Sequence, residues 1–338
     1  MKTIDKIRRE WSRIFRRTGR ASTVQLRAVD RPSVKYGDFM RSNTITFPKR
    51  AIFRRDDVFF AMGSCFAEEI RIALTARGLR CVPSYREIEF DPTLAVVDEL
   101  PEREHMNFYN TFTVRQQIEQ LLGLWTQPDD DWWLINKRQE TPPWGPTCYQ
   151  DPYRRLILAK SPEVLRDVLA GVNREMRAGF NAATAFIFTF GMTEVFVNKA
   201  TGKVAAQKPL YKGAGGAAET ELHVSTFAEN HENVSRVVDM IRQHKPDAPI
   251  VLTVSPVPLA RTFQDADIVT VNAESKAILR AVLGQICREK KGVYYLPSFE
   301  LVTLGGIAQS YEGDGRHVKR SVVDRIVEEF FRGHFQAD

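Results

Sequence analysis

A glycine, a serine and a cysteine stand together at the end of an apolar run in DDVFFAMGSCFAEEI, residues 56–70. The run over 58–62 reads as a buried strand, and 66–77 as the helix that follows, with Gly78 as its stop. A side chain on so tight a strand-to-helix turn is presented to substrate. Gly63 permits the turn, and the helix N-terminus offers backbone N–H groups to an oxyanion. Cys65 in that place has its thiol pKa lowered by the helix end. Ser64 in the same role needs a base to take its proton. The plain alternative makes Cys65 a small buried hydrophobe and Ser64 an N-cap.

A second group lies near the end of the chain. YEGDGRHVKRSVVDRIV sets Asp314 and His317 three residues apart, just before the last helical segment. A loop there can aim an imidazole at a nucleophile while the carboxylate orients its other nitrogen. Taken alone, Asp-x-x-His also fits a solvated loop with a capping aspartate.

These residues need a frame. Apolar runs predict strands over 58–62, 79–83, 185–190, 250–254 and 293–296. Helical spacing predicts helices over 66–77, 114–125, 162–178, 226–244, 272–290 and 318–331, with Ser161 as an N-cap before Pro162. VFVNKATGKVAAQK (195–208) reads as a hairpin around Thr201-Gly202, KGAGGAAE (212–219) as a flexible loop, and 21–50 as an extended leader. Strands alternating with helices imply a parallel sheet covered on both faces, a three-layer α/β/α flavodoxin-like fold with a large insertion at about 84–182. Ligands bind beyond the carboxyl ends of such strands. That rule selects Gly63-Ser64-Cys65, Gly191-Met192-Thr193-Glu194, Ser255-Pro256 and the loop before the last helix.

Composition narrows the function classes. The chain has 338 residues, 43% hydrophobic and 27% charged, as in an ordinary soluble protein. No apolar run is long enough for a membrane span, and MKTIDKIRREW lacks the core of a signal peptide. Cys65, Cys81, Cys148 and Cys287 show no metal or disulfide spacing, so a reducing cytoplasm is expected and neither metal nor cofactor. The net charge of +6 resides in residues 1–20, with eight basic and two acidic residues. There Ile4, Ile7, Trp11, Ile14 and Phe15 share one helical face, which fits a helix packed on its own domain or one touching anionic lipid or an acidic partner. Elsewhere 40 basic residues balance 40 acidic ones, so nucleic-acid binding is not expected.

Taken together, the pieces resemble the GSCFA family, named for residues 63–67, which groups with the SGNH, or GDSL-like, hydrolases. The resemblance runs from about residue 45 to 332 and includes YNTFT (109–113), FGMTEVF (190–196), TVSPVPL (253–259) and SKAILR (275–280). It implies an SGNH-type fold and acyl-ester chemistry, hydrolysis or transfer, on a small-molecule or glycan ester. Asp314 and His317 match the superfamily's late Asp-x-x-His. Aligning Gly63 with the glycine of Gly-Asp-Ser puts Cys65 on the nucleophile; a shift of one residue puts Ser64 there. The superfamily's Gly-x-Asn oxyanion motif is here Gly191-Met192-Thr193, so Thr193 or Asn110 must donate in its place. Glu194 either binds a sugar hydroxyl, supports His317, or pairs with Lys276 or an arginine. Lys276 itself reads as a solvated helix residue. Trp132, Trp133 and Trp144 read as core or interface residues more readily than as a sugar-stacking wall. Two other classes stay open: a non-catalytic binding module that lost the asparagine, and a cysteine peptidase.

Overall fold

The computed structural model describes residues 35–42, 51–100, 104–136, 144–206, 220–332 and 334–335. A short helix, α1 (Tyr36–Ser42), precedes β1 (Val58–Gly63), which turns into α2 (Cys65–Thr75) and β2 (Arg80–Val82). Next come β3 (Ala95–Val97), α3 (Thr111–Leu121), β4 (Trp133–Asn136), β5 (Thr147–Gln150) and β6 (Ile157–Ala159). Then α4 (Pro162–Ala182) leads into β7 (Ala185–Phe190), followed by β8 (Glu194–Asn198), β9 (Val204–Ala205) and β10 (Thr220–Val224). The chain continues through α5 (Phe227–His244), β11 (Ile250–Val254), α6 (Ile268–Glu289) and β12 (Val293–Tyr295). It closes with α7 (Ser298–Leu304), α8 (Ile307–Ser310) and α9 (Arg320–Arg332).

The central sheet has five parallel strands in the order β12-β11-β7-β1-β2. Counted along the chain, this is the flavodoxin-like order 2-1-3-4-5. Its strands are continuous apolar runs because helices cover both faces. Phe60, Met62, Phe186, Phe188, Ile250 and Leu252 point to one side and pack with α4, α5 and α6. Phe59, Ala61, Ile187 and Val251 point to the other and pack with α2, α7 and α9. The expected three-layer α/β/α architecture is therefore present. Among the described residues no helix is long and apolar enough to cross a membrane.

Caps set the helix starts that matter for the site. Ser161 accepts a hydrogen bond from the Val164 N–H, and Thr226 forms a capping box with Glu229. Asp267 caps α6, which starts at Ile268 and not at the expected 272. Asn110 caps α3, moving its start from the expected 114 to Thr111.

Two smaller sheets flank the C-terminal ends of the central strands. The expected hairpin is β8–β9, joined by β10 into a three-stranded antiparallel sheet. A four-stranded antiparallel sheet, β3-β6-β5-β4, lies between β2 and α4 and was not foreseen. Its strands have three or four residues, too short to show a period of two. Trp133 is buried in its core, Trp144 packs on that core, and Trp132 packs on the main one. The helix α1 also departs from the extended leader expected over 21–50. The basic segment 1–20 and the glycine loop 212–219 lie outside the described residues.

Candidate active site

The turn after β1 is built around contact with β7. Gly63 has φ +148°, and a Cβ there would stand 2.2 Å from the Thr189 carbonyl oxygen. Only glycine lets the two strands approach so closely at that conformation. Ser64 then turns inward and is 2% exposed. Its N–H donates to Thr189 Oγ1 at 2.9 Å, and the two hydroxyls are 3.0 Å apart. Its Oγ also accepts the Phe66 N–H at 3.3 Å, as N-cap of α2. Cys65 is the first residue of α2 and is half-buried. Ser64 and Cys65 therefore divide the two expected roles, the serine as cap and the cysteine as the more accessible group.

Ser64 and Cys65 both line a cavity of about 450 Å³ at the C-terminal ends of the strands, and Cys65 also packs on the core under α2. Gly191 and Met192 follow β7, and Ser255, Val257 and Pro258 follow β11. The β8–β9 hairpin adds Val195, Phe196 and Ala205. Tyr109 and Asn110 come from the long connection after β2. The Tyr109 carbonyl accepts the N–H groups of Gly191 (2.8 Å) and Met192 (3.3 Å), which fastens that connection to the end of β7.

Asn110 is 3% exposed, and its Oδ1 accepts the Thr113 N–H at 2.9 Å. The cap fixes which side of the amide faces the helix. Nδ2, with two hydrogens, has no protein acceptor among the described residues and belongs to a residue that lines the cavity. Thr193 is buried and is not part of the cavity wall. Its N–H donates to Ser275 Oγ and its carbonyl accepts from Ser225, so it serves the packing between α6 and the strand ends.

Glu194 lines the cavity and is buried. Its carboxylate accepts from the Thr262 hydroxyl, the Phe263 N–H (3.2 Å) and Gln264 Nε2 (2.9 Å). It holds the loop over 259–264 and pairs with neither Lys276 nor His317. The ion-pair reading of this residue is replaced by a loop-anchoring one.

Asp314 and His317 occupy a tight loop between α8 and α9. Asp314 Oδ1 accepts the N–H groups of Arg316 and His317, each at 2.9 Å, while Oδ2 is bonded to His317 Nδ1. The backbone N–H of Arg316, then that of His317, hold the Asp314 carboxyl down at about 2. An ionised carboxylate accepts only, so Nδ1 carries a hydrogen and Nε2 is left as the basic nitrogen. The loop is tied to the cavity wall at two points. Tyr311 Oη donates to the Pro256 carbonyl at 3.0 Å, and Arg316 Nε donates to that of Pro258 at 3.2 Å. Arg316 itself lines the cavity, whereas Asp314 and His317 are exposed and are not part of its wall.

Lys276 is the residue the sequence reading misplaced. It is 1% exposed, not solvated. Its Nζ donates to the carbonyls of Gly191 (2.7 Å) and Val257 (2.9 Å), both in the cavity wall. Burial, opposed by the charge on Cys65 and aided by Arg316, brings its pKa down to about 7. A signal existed: Lys276 falls on the face of α6 that carries Leu279, Leu283 and Ile286, all buried.

A thiol at a helix N-terminus, an amide donor without a protein acceptor and a loop carrying an imidazole on a carboxylate are groups of the kinds acyl transfer uses. The described residues hold no cluster of His, Cys, Asp and Glu able to bind a metal.

The sequence model of the GSCFA family matches residues 58–330. No curated protein matches the chain. Among solved structures, one provisionally described as a platelet activating factor from Streptococcus pneumonia has TM-score 0.39 and 11% identity, covering 88% of this chain and 89% of that one. The Clostridium thermocellum family 3 carbohydrate esterase has TM-score 0.32 and 10% identity, covering 82% of this chain and 94% of that one.

Proposed function

This chain belongs to the GSCFA family, and from its cavity geometry we propose that it is an acyl-ester hydrolase or acyltransferase with Cys65 as nucleophile. The observation that carries the choice is the division of labour at the turn. Both residues line the cavity, but the Ser64 hydroxyl is engaged by Thr189 and the Phe66 N–H and is almost fully buried, whereas Cys65, which opens α2, is the more exposed of the two. A thiolate at a helix N-terminus is favoured by the helix dipole.

In this reading Cys65 Sγ attacks the ester carbonyl. The C–O bond then breaks, leaving a thioester on the enzyme and an alcohol. His317 Nε2 takes the thiol proton and returns it to the departing alkoxide. Asp314 keeps the imidazole in the tautomer that allows this. The oxyanion is held by backbone N–H groups at the start of α2 and by Asn110 Nδ2, in place of Thr193. A second alcohol, or water, then attacks the thioester with His317 as base. The apolar wall from Val195, Phe196 and Ala205 suits the acyl portion. The SGNH resemblance supports a carbohydrate or polysaccharide ester as substrate, and four free thiols fit a reducing cytoplasm.

The test is intact-mass measurement after brief exposure to p-nitrophenyl butyrate, on the parent chain and on Cys65→Ala, Ser64→Ala and His317→Ala. The expected result is one butyryl mass that is lost in Cys65→Ala, kept in Ser64→Ala and reduced in His317→Ala. Label lost in Ser64→Ala and kept in Cys65→Ala overturns the assignment of the nucleophile. Label indifferent to His317 overturns the catalytic reading and favours a binding module with an exposed thiol.

A further inference from the structure

The cavity wall carries positive charge that the acyl-transfer scheme leaves unused. Beyond residues 1–20 the chain is balanced in charge, yet Arg155, Arg261 and Arg316 line the cavity against one carboxylate, that of Glu194. Arg155 is paired with Asp98 and Glu99. Glu194 is occupied by three donors from residues 262–264. Asp314, close to Arg316 in the chain, is occupied by backbone N–H groups and by His317 Nδ1. Two arginines are left over. Arg316 uses only Nε, on the Pro258 carbonyl at 3.2 Å, and its terminal nitrogens have no acceptor among the described residues. Arg261 is exposed and has neither a hydrogen-bond nor an ion-pair partner among them. The loop that bears Arg261 is nevertheless fixed. Residues 255–267 hold no helix or strand, but the Val257 carbonyl accepts Lys276 Nζ at 2.9 Å and the Leu259 N–H donates to Asn272 Oδ1 at 3.1 Å. Beyond Arg261, Glu194 binds the loop, and the Phe263 ring meets Phe196 edge-on with centroids 5.3 Å apart. The backbone under Arg261 is thus set before any ligand arrives, which lowers the cost of binding one.

Resting on the acyl-transfer reading of Cys65 and His317, we propose that the substrate is an ester whose alcohol portion carries an oxyanion, a carboxylate or a phosphate, and that Arg261 and Arg316 are the residues that select it. A guanidinium fork matches the spacing of carboxylate and phosphate oxygens, and a cleft with low-dielectric walls concentrates the field of its cations. A ligand that fills a cavity of this size meets most of its wall. The two ends of the cavity divide the substrate. Val195, Phe196 and Ala205 offer the acyl chain an apolar surface. Arg316 is the chain neighbour of His317, the group that returns the proton to the departing alkoxide, so its charge serves the alcohol side. The anion takes no part in bond making. It is bound alike before and during the reaction, so the arginines act on KM more than on kcat.

The experiment compares p-butyryloxybenzoate with its neutral isostere p-butyryloxybenzamide on the full chain, as kcat/KM corrected for the rate of each ester with hydroxide. The carboxylate ester is expected to be preferred by about tenfold or more, mostly through KM. Arg261→Gln and Arg316→Gln are each expected to cut that preference severalfold, and Arg261→Lys to keep part of it, since a point charge replaces the fork. A third ester, p-butyryloxyphenyl phosphate, tells the two anions apart: the one with the larger preference over the amide names the group. Equal use of charged and neutral esters by the parent chain overturns the proposal, as does a preference that survives both glutamine variants. Arg261→Gln removes no bond to the described residues, so it keeps the test decisive should Arg316→Gln loosen the loop. Binding of p-hydroxybenzoate against p-hydroxybenzamide, titrated by saturation-transfer NMR, needs no turnover. Selective binding of the acid that is lost in Arg261→Gln, without a butyryl label on Cys65, keeps the anion site and removes the acyl-transfer reading. A butyryl label on Cys65 with no preference for the acid does the reverse.

Discussion

At the residue scale the surroundings of Ser64 and Cys65 differ through a partner far away in sequence. Thr189, at the end of the neighbouring strand, meets the Ser64 backbone and hydroxyl, and Cys65 beside it in the cavity wall has no part in that contact. Nothing local to GSCFA encodes that contact, which is why the turn was legible and the role of each side chain was not. Asp314 and His317 are the opposite case, because three residues of one loop make every bond between them. Their chemistry gives a prediction with a definite sign. The Asp314 carboxyl is held at about 2, so the favourable charge it supplies is fully present above its ordinary range near 4 and is lost only as pH falls through 2. Between pH 4 and 9 the carboxylate therefore does not titrate, and it sets the height of a pH–rate profile without adding a limb to it. Asp314→Asn is expected to lower kcat by about a hundredfold or more across that range, since an amide no longer selects the Nδ1–H tautomer. Ester turnover measured from pH 4 to 9 checks this, and a new acid limb in the variant contradicts it.

At the element scale, the site is assembled by caps and close strand contacts that the hydrophobic pattern does not report. The three central strands after which the cavity opens were legible because VFFAM, AFIFTF and IVLTV are apolar but for Thr189 and Thr253, as suits buried parallel strands. Asn110 was legible only as a polar residue in a family-like block. Its place became definite once α3 was seen to start at Thr111, with the asparagine as cap. The residue then has two separable jobs, and two substitutions separate them. Asn110→Asp keeps a capping oxygen but replaces the outward donor by an acceptor. It is expected to cost under about 0.5 kcal/mol of stability, since Asp and Asn cap about equally, and to lower kcat by about a hundredfold or more. Asn110→Ala removes both functions and is expected to cost about 1 kcal/mol with a similar loss of rate. Urea denaturation and ester turnover on the two variants check the pair. Equal rates in Asn110→Asp and the parent chain remove the amide from the oxyanion site.

At the scale of the whole molecule, the cavity stands between regions of unequal strength. Its floor belongs to the central sheet, whose two faces carry the extensive cores under α4–α6 and under α2 and α9. Its outer wall is different. Ala205 of the hairpin lines the cavity, but its far side packs into a small cluster with Trp133, Ile135, Cys148 and Leu158 of the inserted sheet. The inserted sheet is also held from the other side. Arg154, fully buried, donates to Asp151, Gln127, Gln120 and Asn173, and so links the sheet to α3 and α4. Ala95, Val97, Ile157 and Ala159 join the main core, so β3 and β6 are secured where β4 and β5 rest on the small cluster. Local stability follows the apolar contact that opening exposes, so the β4–β5 edge is expected to open at lower free energy than the sheet beneath it. Cys148 reports this directly, being fully buried in that cluster. In increasing urea, alkylation of Cys148 is expected to begin before the far-UV signal of the helices is lost, with Cys287 on α6 reacting only in the main transition. Coincident curves for Cys148, Cys287 and ellipticity instead make the insertion and the sheet one cooperative unit, with the Arg154 network as the link between them.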